Sequence, residues 1–118
     1  MKNILIIDDE STILSVLYEY LTGLGYFVKV AHNGDEGLRL FNDGYDFDLV
    51  ITDINMPILD GNEVARHIKN SDQPEIPLIA ITGSYNNIVH EGLFDFILPK
   101  PFKLSLLKDK IKSYEGMV

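Results

Sequence analysis

Three short runs in this chain carry almost no polar residue: "ILII" at 4–7, "LVIT" at 49–52 and "LIAIT" at 78–82. A strand with one wet face alternates apolar and polar side chains. A run without that alternation needs apolar neighbours on both faces, as a parallel strand between two helix layers has. We read strands at residues 3–7, 48–52 and 77–82, and two more at 26–31 and 95–98.

Between these runs the apolar period becomes helical. In residues 11–24, Ile13, Val16, Leu17, Tyr20, Leu21 and Leu24 share one stripe, and Gly25 supplies a stop. A second helix is expected at 35–41, with Asn33 as its N-cap. A third is expected at 62–69, turning Val64, Ala65 and Ile68 inward, and a last one at 104–114, burying Leu104, Leu107 and Ile111. Residues 86–92 hold only Ile88 and Val89 as anchors, which predicts a short or irregular fourth helix. Strand–helix alternation with short links means βαβ units with right-handed crossovers. The fold class is α/β: one doubly wound, five-stranded parallel sheet with helices on both faces. In such sheets, sites form beyond the carboxyl ends of the strands.

The residues at those ends are chemically pointed. Asp8, Asp9 and Glu10 follow the first strand, Asp53 the third, Thr82 closes the fourth, and Lys100 follows the fifth. Each has an ordinary explanation taken singly. An acidic pair suits a helix N-terminus, a lysine between prolines suits an exposed loop, and a strand-end threonine suits a backbone bond. Their placement on one edge is what argues for a site. Crowded carboxylates repel one another unless a cation joins them. Oxygen ligands without histidine favour Mg²⁺ over Zn²⁺. An Asp, a divalent cation, a Lys and a Thr suit phosphoryl transfer to a carboxylate, chemistry that rests on positioning and charge neutralisation.

Composition excludes several alternatives. The 118 residues carry 18 Asp and Glu against 10 Lys and Arg, a formal charge of −8, which repels nucleic-acid phosphates and anionic lipid. No direct nucleic-acid or membrane binding is expected. No apolar run approaches the roughly 18 residues that span a bilayer. The absence of cysteine removes disulfides and thiolate chemistry and fits a cytoplasmic location. His32, His67 and His90 lie in separate elements and share no metal spacing.

The motifs "ILIIDDE", "DLVITDINMPILDG", "PLIAITG" and "LPKPF", in this order, resemble the receiver domains of bacterial two-component response regulators, and the resemblance covers essentially residues 1–118 as one domain. It implies the flavodoxin-like strand order 2-1-3-4-5. It implies that Asp53 accepts a phosphoryl group, and that Asp9, Asp53 and the backbone carbonyl of Asn55 hold Mg²⁺ with support from Asp8. Lys100 would pair with Asp53 and then with a phosphoryl oxygen, across a cis Lys100–Pro101 bond, while Thr82 would turn toward the phosphoryl group. Asn55 and Ser84 occupy positions that influence phosphoryl lifetime. The donor would be a sensor histidine kinase or a histidine phosphotransfer protein. A downstream partner or output domain would meet the face built by the fourth helix, fifth strand and fifth helix. The chain would act as a switch and not as an enzyme, catalysing only its own phosphorylation and dephosphorylation. It would act alone or as part of a longer regulator or hybrid kinase.

Two features depart from the family pattern. The aromatic residue common three positions before the lysine is Ile97 here, with Phe96 beside it. Neighbours on a strand face opposite ways, so Phe96 replaces the aromatic only if the register shifts. Residues 83–99 also leave only 17 positions between Thr82 and Lys100, fewer than is common. A receiver-like interaction module with weakened phosphate coupling is therefore the alternative. A phosphatase of the haloacid dehalogenase kind would need a second acid two residues after Asp53, where Asn55 stands. Met56–Pro57 and Asp60–Gly61 are read as loop-shaping, with Gly61 supplying an unusual backbone turn. Phe102 is read as a core anchor, Tyr85 as surface, and Lys103, Lys108, Lys110 and Lys112 as a solvated helix face.

Overall fold

The computed structural model describes residues 3–83 and 91–115. Five parallel strands, β1 (Asn3–Ile7), β2 (Phe27–Ala31), β3 (Leu49–Asp53), β4 (Leu78–Thr82) and β5 (Phe96–Pro99), lie in the order β2-β1-β3-β4-β5. Among the described residues, α1 (Ser11–Gly23), α2 (Gly34–Asn42) and α3 (Gly61–Lys69) link β1 to β4 in turn, and α4 (Leu104–Glu115) follows β5. Glu91–Leu93 form a turn of 3-10 helix before β5. The rest of the fourth helix expected at 86–92, with Ser84, Tyr85 and His90, lies outside the described residues.

The unbroken apolar runs are explained by the two cores. Ile4, Ile6, Leu49, Ile51, Ile79 and Ile81 point to one face, under α1 and α4. Leu5, Ile7, Val50 and Leu78 point to the other, under α2 and α3. β2 is an edge strand, and its exposed Phe27 and Lys29 give the alternation that a half-wet strand shows.

Helix ends follow local chemistry. Asn33 accepts the Glu36 amide at 2.7 Å, as its sequence suggested. Asp60 accepts the Glu63 amide at 2.9 Å and Glu63 reaches back to the Asp60 amide at 3.2 Å, forming a capping box. Gly25, at φ +100°, ends the turn after α1.

Three local expectations are corrected. The buried stripe of α1 is Leu14, Leu17 and Leu21, while Val16 and Leu24 stay substantially exposed. Gly61 is needed for close approach and not for a left-handed turn, because a Cβ there would stand 2.3 Å from the Asp53 carbonyl oxygen. The positive φ of that loop belongs to Ile58. The lysine face of α4 is only partly solvated: Lys110 lies over the Phe96 ring, 4.9 Å from its centroid. Leu107 and Ile111 are buried, and Leu104 and Phe102 pack half-buried against the same core.

Candidate functional site

The carboxyl edge of the sheet gathers the charged residues. β1 and β3 are neighbours, so Asp8 and Asp53 leave adjacent strands side by side. Both are buried, Asp8 completely. Asp9 is exposed, yet oxygens of Asp8, Asp9 and Asp53 all lie within 4.8 Å of one another. Lys100 follows β5, and its amide bonds the Thr82 carbonyl at 2.8 Å, which ties the loop to the end of β4. The Lys100–Pro101 bond is cis.

The Lys100 ammonium stands 3.2 Å from Glu10, 3.6 Å from Asp8 and 3.8 Å from Asp53. One cation thus faces several acids. Asp8 accepts the Glu10 amide at 2.9 Å through Oδ1, but its buried Oδ2 has no hydrogen-bond partner among the described residues. Burial raises the Asp8 pKa. Burial first, then repulsion from Asp8, pushes Asp53 up to about 7, against the opposing pull of Lys100. Burial draws the Lys100 pKa down, but Asp53, Asp8 and Glu10 outweigh it and the net shift is upward.

An orphaned buried oxygen, clustered carboxylates and a strongly raised acid describe a place short of positive charge. The oxygen-only donor set suits a hard cation such as Mg²⁺, which keeps several waters, and Asp8, Asp9 and Asp53 could hold it. Asn55 is exposed, in the turn that the Met56 amide closes on the Ile54 carbonyl at 3.1 Å. Thr82 is half-buried and lies one residue beyond Ile81, the register partner of Asp53.

Sequence reasoning missed two supporting groups. The Thr52 hydroxyl donates to the Asp53 carbonyl oxygen at 2.9 Å, and a Thr closing an apolar strand was the available signal. Glu10 reads in the sequence only as one of several acids, and nothing there pairs it with a lysine 90 positions away. Of the described histidines, His32 follows β2 at this same edge but meets Glu36, and His67 meets Asn42; neither joins the cluster of Asp8, Asp9 and Asp53.

The sequence model of the response regulator receiver domain matches residues 4–112. The chain belongs to this family. Among curated proteins, the probable transcriptional regulator ycf27 of Cyanidium caldarium is 40% identical over 114 residues, which cover 94% of this chain and 45% of that protein. The chain spans about half the length of the curated relatives it matches. A receiver domain protein from Clostridium thermocellum superposes with TM-score 0.89 at 34% identity, covering 99% of this chain and 96% of that one. Response regulator TrrA of Thermotoga maritima, solved with Mg²⁺ and BeF, gives TM-score 0.86 at 37% identity, covering 97% and 99%. TrrA solved with histidine kinase ThkA gives 0.85 at 36% identity, covering 97% and 98%.

Receiver membership carries the strand order, which the sheet has. β5 runs in regular register with β4, pairing Ala80 with Ile97 and Ile81 with Leu98. Phe96 packs with Leu98 on the core under α1 and α4. It does not replace the aromatic missing at Ile97.

Proposed function

We propose that this receiver domain is a phosphorylation-dependent switch in a two-component relay, with Asp53 as the phosphoryl acceptor. The observation that carries the reading is the state of Asp53: buried, crowded by Asp8 and held with Lys100 close by. A structural carboxylate in that position would be a liability. An acceptor there becomes a competent nucleophile once a divalent cation beside Lys100 favours its ionised form.

In the proposed reaction an Asp53 carboxylate oxygen attacks phosphorus in a phosphohistidine. The P–N bond breaks, a P–O bond forms, and the imidazole leaves. Mg²⁺ held by Asp9, Asp53 and the Asn55 carbonyl, with Asp8 in support, would neutralise charge on the transferred group. Lys100 pairs with a phosphoryl oxygen, and Thr82 turns toward it. Water later hydrolyses the acyl phosphate, so the chain serves as a carrier of information and acts as a catalyst only upon itself. The positions of Asn55 and Ser84 bear on how long the acyl phosphate lasts.

The donor is a sensor histidine kinase or a phosphotransfer protein; the similar regulator TrrA was solved in complex with the histidine kinase ThkA. A shallow groove of about 650 Å³ beside Lys100, lined by Ile13, Val16, Pro101, Phe102 and Leu104, offers such a donor an apolar seat. The output, a downstream protein or a further domain, reads β5, α4 and the segment before them. Residues 1–118 serve as one domain. The acidic charge keeps this domain off nucleic acid, and its place is the cytoplasm. No helix among the described residues is long and apolar enough to cross a membrane. Ile97 favours a second reading, an interaction module with weakened phosphate coupling, because the usual aromatic partner of Thr82 is missing.

The test is intact-mass spectrometry after incubation with a small phosphodonor, with Mg²⁺ or with chelator. We expect a gain of one phosphoryl group that requires Mg²⁺ and is absent from Asp53→Asn. No gain under any condition refutes the switch. A gain without change in the NMR spectrum of β5 and α4 favours the second reading.

A further inference from the structure

Glu10 occupies the N-cap of α1 but makes no side-chain cap. α2 and α3 are both capped, by Asn33 and Asp60. Glutamate is a poor cap, since its carboxylate sits one methylene too far from the backbone it should meet. Its carboxylate turns across the edge to Lys100, at 3.2 Å, the shortest of the contacts that Lys100 makes with acids. Asp8 and Asp53, at 3.6 and 3.8 Å, stand beyond good hydrogen-bond distance. Glu10 is not among the acids whose oxygens cluster for a cation. It is 59% exposed, whereas Asp8 and Asp53 are buried.

We propose that Glu10 is a positioning residue, which holds the Lys100 ammonium at the rim of the site and so leaves the Asp8 and Asp53 oxygens open to a divalent cation. An ammonium and a divalent cation compete for the same oxygens. With Glu10 in place, Lys100 has an outer partner and the two positive charges stay apart. Without it, Lys100 needs to move only about 1 Å to bond Asp53 directly.

This role rests on the reading of Asp8, Asp9 and Asp53 as a cation site, so the test separates the two. Mg²⁺ affinity is measured by NMR amide titration for the natural chain, Glu10→Gln, Lys100→Met and the double variant, each checked for folding by its spectrum. Lys100→Gln replaces Lys100→Met should the latter fail to fold. If Glu10 acts through Lys100, Glu10→Gln weakens Mg²⁺ binding about fivefold alone and less than about twofold when Lys100 is absent. Equal weakening on both backgrounds would mean that Glu10 contributes only its charge, and the proposal fails. No weakening on the natural background also overturns it. A natural chain that binds no Mg²⁺ refutes the cation site itself, and this role with it.

Discussion

The two edges of the sheet both carry aspartates at strand ends, and they treat them oppositely. At the amino edge, Asp48 accepts the Asn3 amide at 2.8 Å and Asp95 accepts the Leu78 amide at 2.8 Å. Each also donates its own amide to the carbonyl of the same residue, at 2.8 and 2.9 Å. Both are two-way clasps between neighbouring strands. At the carboxyl edge Asp8 and Asp53 are more deeply buried, stand near each other, and leave Asp8 Oδ2 unbonded among the described residues. A carboxylate that is satisfied locally holds a fold together. One left short of positive charge is available to a ligand. The amino edge has one orphan of its own, the Tyr114 hydroxyl, whose pKa burial and then Asp95 push up to about 12. That group is neutral at physiological pH and forgoes only a hydrogen bond.

The largest effect should come from pH. Asp53 is raised from 3.8 in the unfolded chain to about 7 in the fold, so between those values the folded state binds the extra proton. Stability must then fall as pH rises through that window, by at most about 4 kcal/mol. The upward shift of Asp8 acts in the same direction. Urea unfolding with chelator at pH 5 and pH 8 measures the loss. Mg²⁺ should offset it at pH 8, because a ligand of the folded state alone stabilises that state. Asp53→Asn should flatten the slope. A metal-free protein more stable at pH 8 than at pH 5 would break the comparison at its centre.

Single substitutions should then differ in sign. Asp48→Ala removes an amide acceptor and should destabilise by about 1–2 kcal/mol. Asp8→Asn removes a charge that burial and Asp53 both disfavour. It should stabilise the metal-free protein by about 1 kcal/mol at neutral pH while weakening Mg²⁺ binding. Equilibrium unfolding of both variants checks this. Two variants destabilised alike would mean that Asp8 is as structural as Asp48.

Much of this was legible in the chain. β1, β3 and β4 declared themselves because strands buried on both faces cannot alternate. Once βαβ units were inferred, Asp8, Asp53, Thr82 and Lys100 had to meet, since parallel strands end on one edge. The failures came where backbone approach or side-chain reach decides. Val16 and Leu14 both suit an amphipathic helix, and only the docking angle of α1 selects Leu14. Gly61 reads as a turn residue, yet its absent Cβ makes room for the Asp53 carbonyl. The Glu10–Lys100 pair depends on how two long side chains divide a crowded edge, which no periodicity records.

The smallest expected effect concerns strain, and it too separates the edges. Ile58 is the one non-glycine residue with positive φ among the described residues, at 72°, and its side chain is fully exposed. It lies between Asp53 and Gly61, on the carboxyl edge. A β-branched residue in the left-handed region costs about 1–2 kcal/mol, and an exposed side chain recovers none of it by burial. Ile58→Gly removes that strain but adds freedom to the unfolded chain, worth about 0.5–1 kcal/mol in the other direction. The two terms nearly cancel, leaving a stabilisation of about 0.5 kcal/mol. Urea unfolding of Ile58→Gly and Ile58→Ala distinguishes the terms, since alanine keeps the positive-φ penalty. If Ile58→Ala proves as stable as Ile58→Gly, the loop relaxes without cost, and the strain at this edge is no part of what sets it apart.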